Sequence, residues 1–158
     1  MKIVMELHGE TQLQRRFLRW SSFASDATAA FEGIYAYLLK VEKEQFASQG
    51  ATSGHAWAQL AQSTVQAKQR QGLRPEILRA HDLLFSSLTK KSDPNQLKIV
   101  QPNMLAFGSM MPYARYQQTG TSRMPQRRPI DLNVKNKIAI IKALQLFLAR
   151  GIVRVPQL

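Results

Sequence analysis

Apolar residues early in the chain recur in steps of three and four. Ala27, Ala30, Phe31, Ile34, Leu38 and Val41 fall on one side of a helix with 3.6 residues per turn. That spacing predicts a helix from about Asp26 to Ala47, with Ser25 or Asp26 accepting from its first free N–H groups. Upstream, Leu13, Phe17 and Trp20 share one side of a brief helix over Thr11–Trp20, which Ser21, Ser22 and Ser25 interrupt. Lys2–His8 reads as a short first strand.

Beyond Ala47 the pattern loosens. Ser48–Gly54 is a Gly/Ser/Thr surface loop. Trp57, Leu60 and Val65 anchor a loosely ordered stretch, and Gln66–Arg74 is polar and basic. Pro75 suits the first turn of a small helix carrying Ile77 and Leu78. From Leu83 the period shortens to two. Leu84, Ser86 and Leu88 alternate with Phe85, Ser87 and Thr89, which predicts a strand. Lys90–Asn95 is a turn, and Gln96–Val100 and Met104–Gly108 are two further strands around Pro102-Asn103. Pro112–Gln118 makes a helical turn and Gly120–Pro129 a loop. Asn136–Arg150 is the last helix, stopped by Gly151, with an edge strand over Ile152–Val155. The reading is a single α+β domain over residues 1–158. Its small, mostly antiparallel sheet packs against a long helix in the N-terminal half and a C-terminal helix.

The last helix is apolar nearly all round. Only Lys142, Gln145 and Ala149 form a weakly polar stripe. Such a helix needs cover on more than one side. The sheet and the long helix supply it together, or another subunit does, which makes Ile141, Leu144 and Leu148 candidate subunit-packing residues.

Composition narrows the function. With 158 residues, 44% of them hydrophobic, the chain can bury a core without staples. It has no Cys, which removes disulfides, thiol catalysis, iron–sulfur clusters and Cys-ligated zinc, and fits a reducing compartment. Residues 1–50 hold six bases and six acids, so the whole net charge of +12 lies in residues 51–158. A basic half suits a polyanionic partner such as nucleic acid or an acidic protein, or else simply keeps the surface soluble. No signal peptide or membrane span is expected, since Ile138–Ala149 is too short to cross a bilayer.

Catalysis finds little support. The carboxylates Glu76, Asp82, Asp93 and Asp131 are scattered, and His8, His55 and His81 lack metal-binding spacing. No P-loop, G-x-G-x-x-G or G-x-S-x-G is present, so no cofactor or metal is expected. The most distinctive patch is Arg123-Met124-Pro125-Gln126-Arg127-Arg128-Pro129. Two prolines hold it extended, so Arg123, Arg127 and Arg128 are expected to face outward toward DNA phosphates or an acidic partner. Trp20, Trp57, Tyr113 and Tyr116 read as core or interface aromatics rather than base-stacking platforms.

Several of these segments recur in order in one known family. Trp57-Ala58-Gln59-Leu60 with Thr64 and Lys68 resembles the "W-x-x-L…T…K" opening of the phage virion morphogenesis family, the Mu-type tail completion or head–tail joining group. Ile77-Leu78 and Leu83-Leu84-Phe85-Ser86-Ser87-Leu88 resemble its "I-L…T-G-x-L-x-x-S-L", with Asp82 near the usual Thr-Gly. Pro112–Gly120 is similar to "P-Y-A-x-x-H-Q-x-G", with Gln117 in place of His, and Met124–Arg127 to "M-P-A-R". The resemblance spans about residues 57–150, preceded by a helical part over 11–47.

The resemblance implies a structural virion protein without catalysis, assembled in the bacterial host cytoplasm. It would form a ring, commonly hexameric, where tail meets head. Its partners would be copies of itself, neighbouring head-completion or connector proteins, and tail tube or sheath proteins, with DNA passing through the lumen. Arg123, Arg127 and Arg128 would grip a neighbour, and Tyr113, Tyr116, Gln118 and Gly120 would set the base of that loop. The rival expectation is a non-specific nucleic-acid-binding protein using residues 51–158.

Overall fold

The computed structural model describes residues 10–150 and 155–156. The strand expected at Lys2–His8, the stop at Gly151, and all but the last residue of the strand expected over Ile152–Val155 lie outside them.

Helix α1, Glu10–Ser25, runs through the serines expected to break it. Ser22 Oγ donates to the Arg19 carbonyl and Ser25 Oγ to the Ser22 carbonyl, so the hydroxyls turn back along the helix instead of competing with it. Helix α2, Thr28–Ala47, is the expected long helix. The Asp26 carboxylate accepts from the Thr28 N–H at 2.9 Å, and the Ala27 N–H donates to the Pro102 carbonyl at 2.8 Å. The start of α2 is thereby tied to the distant Pro102-Asn103 turn.

Helix α3, Gln62–Arg70, forms where no order was expected, and the helix expected at Pro75 does not form. Lys68 accounts for the second. Its Nζ donates to the carbonyls of Arg74 and Glu76, folding the chain back and using acceptors that a helix there would need. Ile77 is buried all the same, in a turn.

The strand expected over residues 84–89 is instead helix α4, Leu83–Thr89. Leu84 and Leu88, one helical turn apart, are both buried against the core, and Ser87 and Thr89 return hydroxyl hydrogen bonds to Leu84 and Phe85 carbonyls. So short an alternation fits either period, and packing decided between them.

Strands β1, Gln96–Gln101, and β2, Met104–Ser109, pair antiparallel from Gln101↔Met104 to Gln96↔Ser109. They are the only two strands among the described residues. One face of the hairpin sits on the helices. Phe107 meets the Tyr35 ring edge-on, and Gln96 bonds Tyr35 and the Ser87 carbonyl. On the other face Leu97, Ile99 and Met104 stay exposed. The α+β class holds, with a smaller sheet than the alternation predicted.

Helix α5, Ala114–Thr119, and helix α6, Val134–Arg150, complete the described elements. The core has two parts. Phe46, Trp57, Ile77, Leu84 and Leu88 form one; Ile34, Leu38 and Ala143 form the other, with Leu105 and Leu144 against it. Helix α6 lies on α2, with Ala143 beside Ile34 and Leu38, and on α1, where Phe147 meets Phe23 at 5.2 Å between rings; Ala139 is buried on the same side. Among the described residues, α1 and α2 cover the inner side of α6, and Ile138, Ile141 and Leu148 on its outer side stay exposed.

Candidate functional site: a stitched loop beside a cationic cleft

The segments that resemble family motifs converge on one place. A cleft of about 730 Å³ is lined by Leu60, Lys68, Ile77, Leu84, Tyr113 and Arg123, among others. These residues come from α3 and the segment before it, the turn between α3 and α4, α4, the segment before α5 and the loop after it.

That loop is closed by hydrogen bonds from two glutamine side chains and from its own backbone. The Gln118 side-chain amide donates to the Ile130 carbonyl and accepts from the Ile130 N–H. Gln126 Nε2 donates to the Gln118 carbonyl, and the Arg127 N–H to the Gln117 carbonyl. Gly120 ends α5 at φ 74°, with the Gln126 backbone nitrogen 3.0 Å from where a Cβ would stand. Any side chain there meets both a backbone clash and an unfavourable φ. Gln118 is thereby bonded across to Ile130, and Gly120 lies against the Gln126 backbone.

Arg127 corrects the expectation of an outward-facing triad. It is 8% exposed. Its Nε donates to the Ala58 carbonyl at 2.7 Å and Nη2 to the Gln59 carbonyl at 3.0 Å. Burial lowers its pKa from the ordinary arginine value. Nearby, Trp57 Nε1 donates to the Arg128 carbonyl at 2.9 Å, and Asn133 Nδ2 to the Thr52 carbonyl. The prolines do not hold the loop off the body. The carbonyls of residues 58 and 59 hold the guanidinium inward with two charge-assisted hydrogen bonds.

Arg123 is exposed on the cleft rim, as expected. Arg128 is half-buried, with Nη1 3.9 Å from the Asp131 carboxylate, which also lies 2.8 Å from His55 Nδ1. Tyr113 lines the cleft, and partial burial raises its phenol pKa. Tyr116 is exposed beneath the Arg115 guanidinium. Trp57 is core and Trp20 is exposed. Leu144 packs into the chain's own core, whereas Ile141 and Leu148 are exposed on the opposite side of α6.

The cleft lining carries Lys68, Arg123 and Arg127 against one carboxylate. Its carboxylate, Asp82, is bonded by Arg79 and Arg74, and the Arg79 hydrogen bond holds it below its ordinary pKa. Asp82 also takes the left-handed conformation at φ 56°, ψ 9°, which Asp adopts at less cost than most residues. Aspartate thus fills a left-handed position near the Thr-Gly of the family pattern. Among the described residues no His and carboxylate cluster could hold a metal ion.

One buried group escaped the sequence reading. Glu42 is fully buried on α2, and neither carboxylate oxygen has a hydrogen-bond partner among the described residues. Burial, then the Asp131 charge, pushes its pKa up to about 8. The available signal was its spacing: it stands four residues after Leu38, on the apolar face.

A model of the phage virion morphogenesis family matches residues 9–146. The chain belongs to that family. The match includes α1 and α2, which the quoted motifs do not reach. No curated protein and no solved structure gives a match. Membership in the virion morphogenesis family assigns a structural role in virion assembly and associates the protein with the virion. Its motifs here largely join one segment of the fold to another: Trp57 and Arg127 hold residues 57–59 against 127–128, and Lys68 holds 74–76. Among the described residues no helix is long and apolar enough to cross a membrane.

Proposed function

We propose that this protein is a non-catalytic subunit of a ring at the head–tail junction, of the Mu-type tail completion kind, that joins tail to head. One observation carries the reading beyond family membership: a small domain leaves apolar surface bare on two different elements. Leu97, Ile99 and Met104 are exposed on the hairpin, and Val134, Ile138, Ile141 and Leu148 on α6. A ring subunit touches copies of itself and also the proteins above and below, so it needs more than one such surface. The neighbours are connector proteins on the head side and tube or sheath proteins on the tail side. The ring is commonly hexameric in such tail-terminating proteins. Exposed Arg123 and half-buried Arg128 serve a neighbour or the DNA in the lumen, while Arg127 serves the fold.

Native mass measurement at modest salt tests the ring, with and without added tail tubes. Closed oligomers support it. A monomer that binds DNA with an affinity falling steeply as salt rises supports the nucleic-acid reading instead. Paired replacement of Arg123 and Arg128 by Ala is expected to reduce the joining of heads to tails with the thermal midpoint unchanged. Normal particle yield removes the loop from the mechanism.

A further inference from the structure

Helix α6 has two apolar faces on opposite sides. Ala139, Ala143 and Phe147 face inward, two of them small enough for close approach to α2. The outward stripe is Val134, Ile138, Ile141 and Leu148, with the polar Gln145 between the last two. Its steps are four, three, four and three, the spacing of a coiled-coil seam. Every member is exposed, Val134 at 70% and Ile141 at 54%. From Val134 to Leu148 the stripe runs about 21 Å, close to four turns.

Charge decides what can cover it. Lys135 and Lys142 flank the stripe on one side and Lys137 on the other, all exposed. None is in an ion pair among the described residues, and α6 contains no acidic residue. Two copies of this face brought together would set lysine against lysine, which seam-flanking positions oppose. Nucleic acid would meet the lysines but leave the branched apolar residues against phosphate. A helix with its own apolar stripe and acidic flanks satisfies both features.

We propose that the outer face of α6 docks an amphipathic helix of another protein, about four turns long, whose apolar seam is flanked by Asp and Glu. The inference goes beyond the ring and does not need it: a monomer presents the same face.

The probe is a fluorescein-labelled synthetic peptide of three heptads with Leu at the seam and Glu at the flanks, beside a second with Lys at the flanks. Fluorescence anisotropy with the full chain is expected to give saturable binding of the Glu peptide and at least about tenfold weaker binding of the Lys peptide. Ile141→Gln is expected to weaken the Glu peptide about tenfold or more. The Lys135→Glu, Lys142→Glu pair is expected to reverse the preference between peptides. The charge pair is fully on the surface, so it answers the question even if Ile141→Gln unfolds the chain. Equal binding of both peptides, binding unchanged by Ile141→Gln in a folded protein, or no binding overturns the proposal. So does light scattering that finds a dimer abolished by the charge pair, or binding only to phosphatidylglycerol vesicles.

Discussion

The loop from Arg123 to Asp131 and the outer face of α6 are both rich in cations and differ in how those cations are used. In the loop, the Arg127 guanidinium is bonded to two main-chain carbonyls and Arg128 stands beside Asp131. On α6, Lys135, Lys137 and Lys142 stand in solvent beside exposed Val134, Ile138 and Ile141. Net charge alone therefore does not locate an interaction surface. A buried guanidinium whose donors are taken by carbonyls works as a structural strut. Unpaired cations bordering bare apolar residues remain available to a partner.

The largest effect expected at the stitched region comes from Trp57. Trp57→Ala removes a buried ring that meets Phe46 edge-on at 5.2 Å, together with the indole hydrogen bond to the Arg128 carbonyl, so about 3–5 kcal/mol of stability should be lost. Trp57→Phe keeps the ring and loses the hydrogen bond, about 1 kcal/mol. Urea denaturation of the pair separates packing from polar stitching, and equal losses would assign the effect to the hydrogen bond alone.

Glu42 lies behind the stitched loop and gives a pH test. Its carboxyl carries a proton in the folded state up to about pH 8 and in the unfolded chain only to about 4.5. Between those values the folded state binds more protons, so stability falls as pH rises, by about 1.4 kcal/mol per unit. The slope vanishes below and above that window. At pH 7 the accumulated cost is about 3 kcal/mol. Glu42→Gln should flatten the urea midpoint against pH across this window; a wild-type midpoint that rises with pH there would contradict the buried, protonated state.

Arg127→Met should cost about 2–3 kcal/mol, because it leaves the Ala58 and Gln59 carbonyls unpaired. Arg127→Lys should recover only part of that, since an ammonium lacks the guanidinium's planar fork. Arg123→Ala, four residues away on the rim, should change stability by less than about 0.5 kcal/mol. If thermal melts rank Arg123 above Arg127, the contrast between strut and free cation is reversed.

Much of the secondary structure was legible in the chain. The spacing of Ala30, Ile34, Leu38 and Val41 located α2, and the runs around Pro102-Asn103 located the hairpin. The segment over 84–89 was not legible, because Leu84, Leu88 and the intervening serines suit either period. It became a helix through burial of Leu84 and Leu88 against Phe46 and Trp57. In the site, the order of the motifs pointed to the family that matches residues 9–146, but not to the work each residue does.

The sequence by itself determined the periodic elements, the absence of thiol chemistry, the basic second half and an α6 with more apolar surface than one neighbour can cover. These rest on residue type and on spacing along one chain, which are local properties. Only the tertiary structure decided that Arg127 turns inward, that Glu42 is sealed without a partner, and that Ile141 and Leu148 stay bare while Leu144 does not. Each of those outcomes depends on which distant carbonyl, carboxylate or side chain arrives within a few ångströms. Hydrogen bonding and desolvation act through space, so no reading along the chain contains them.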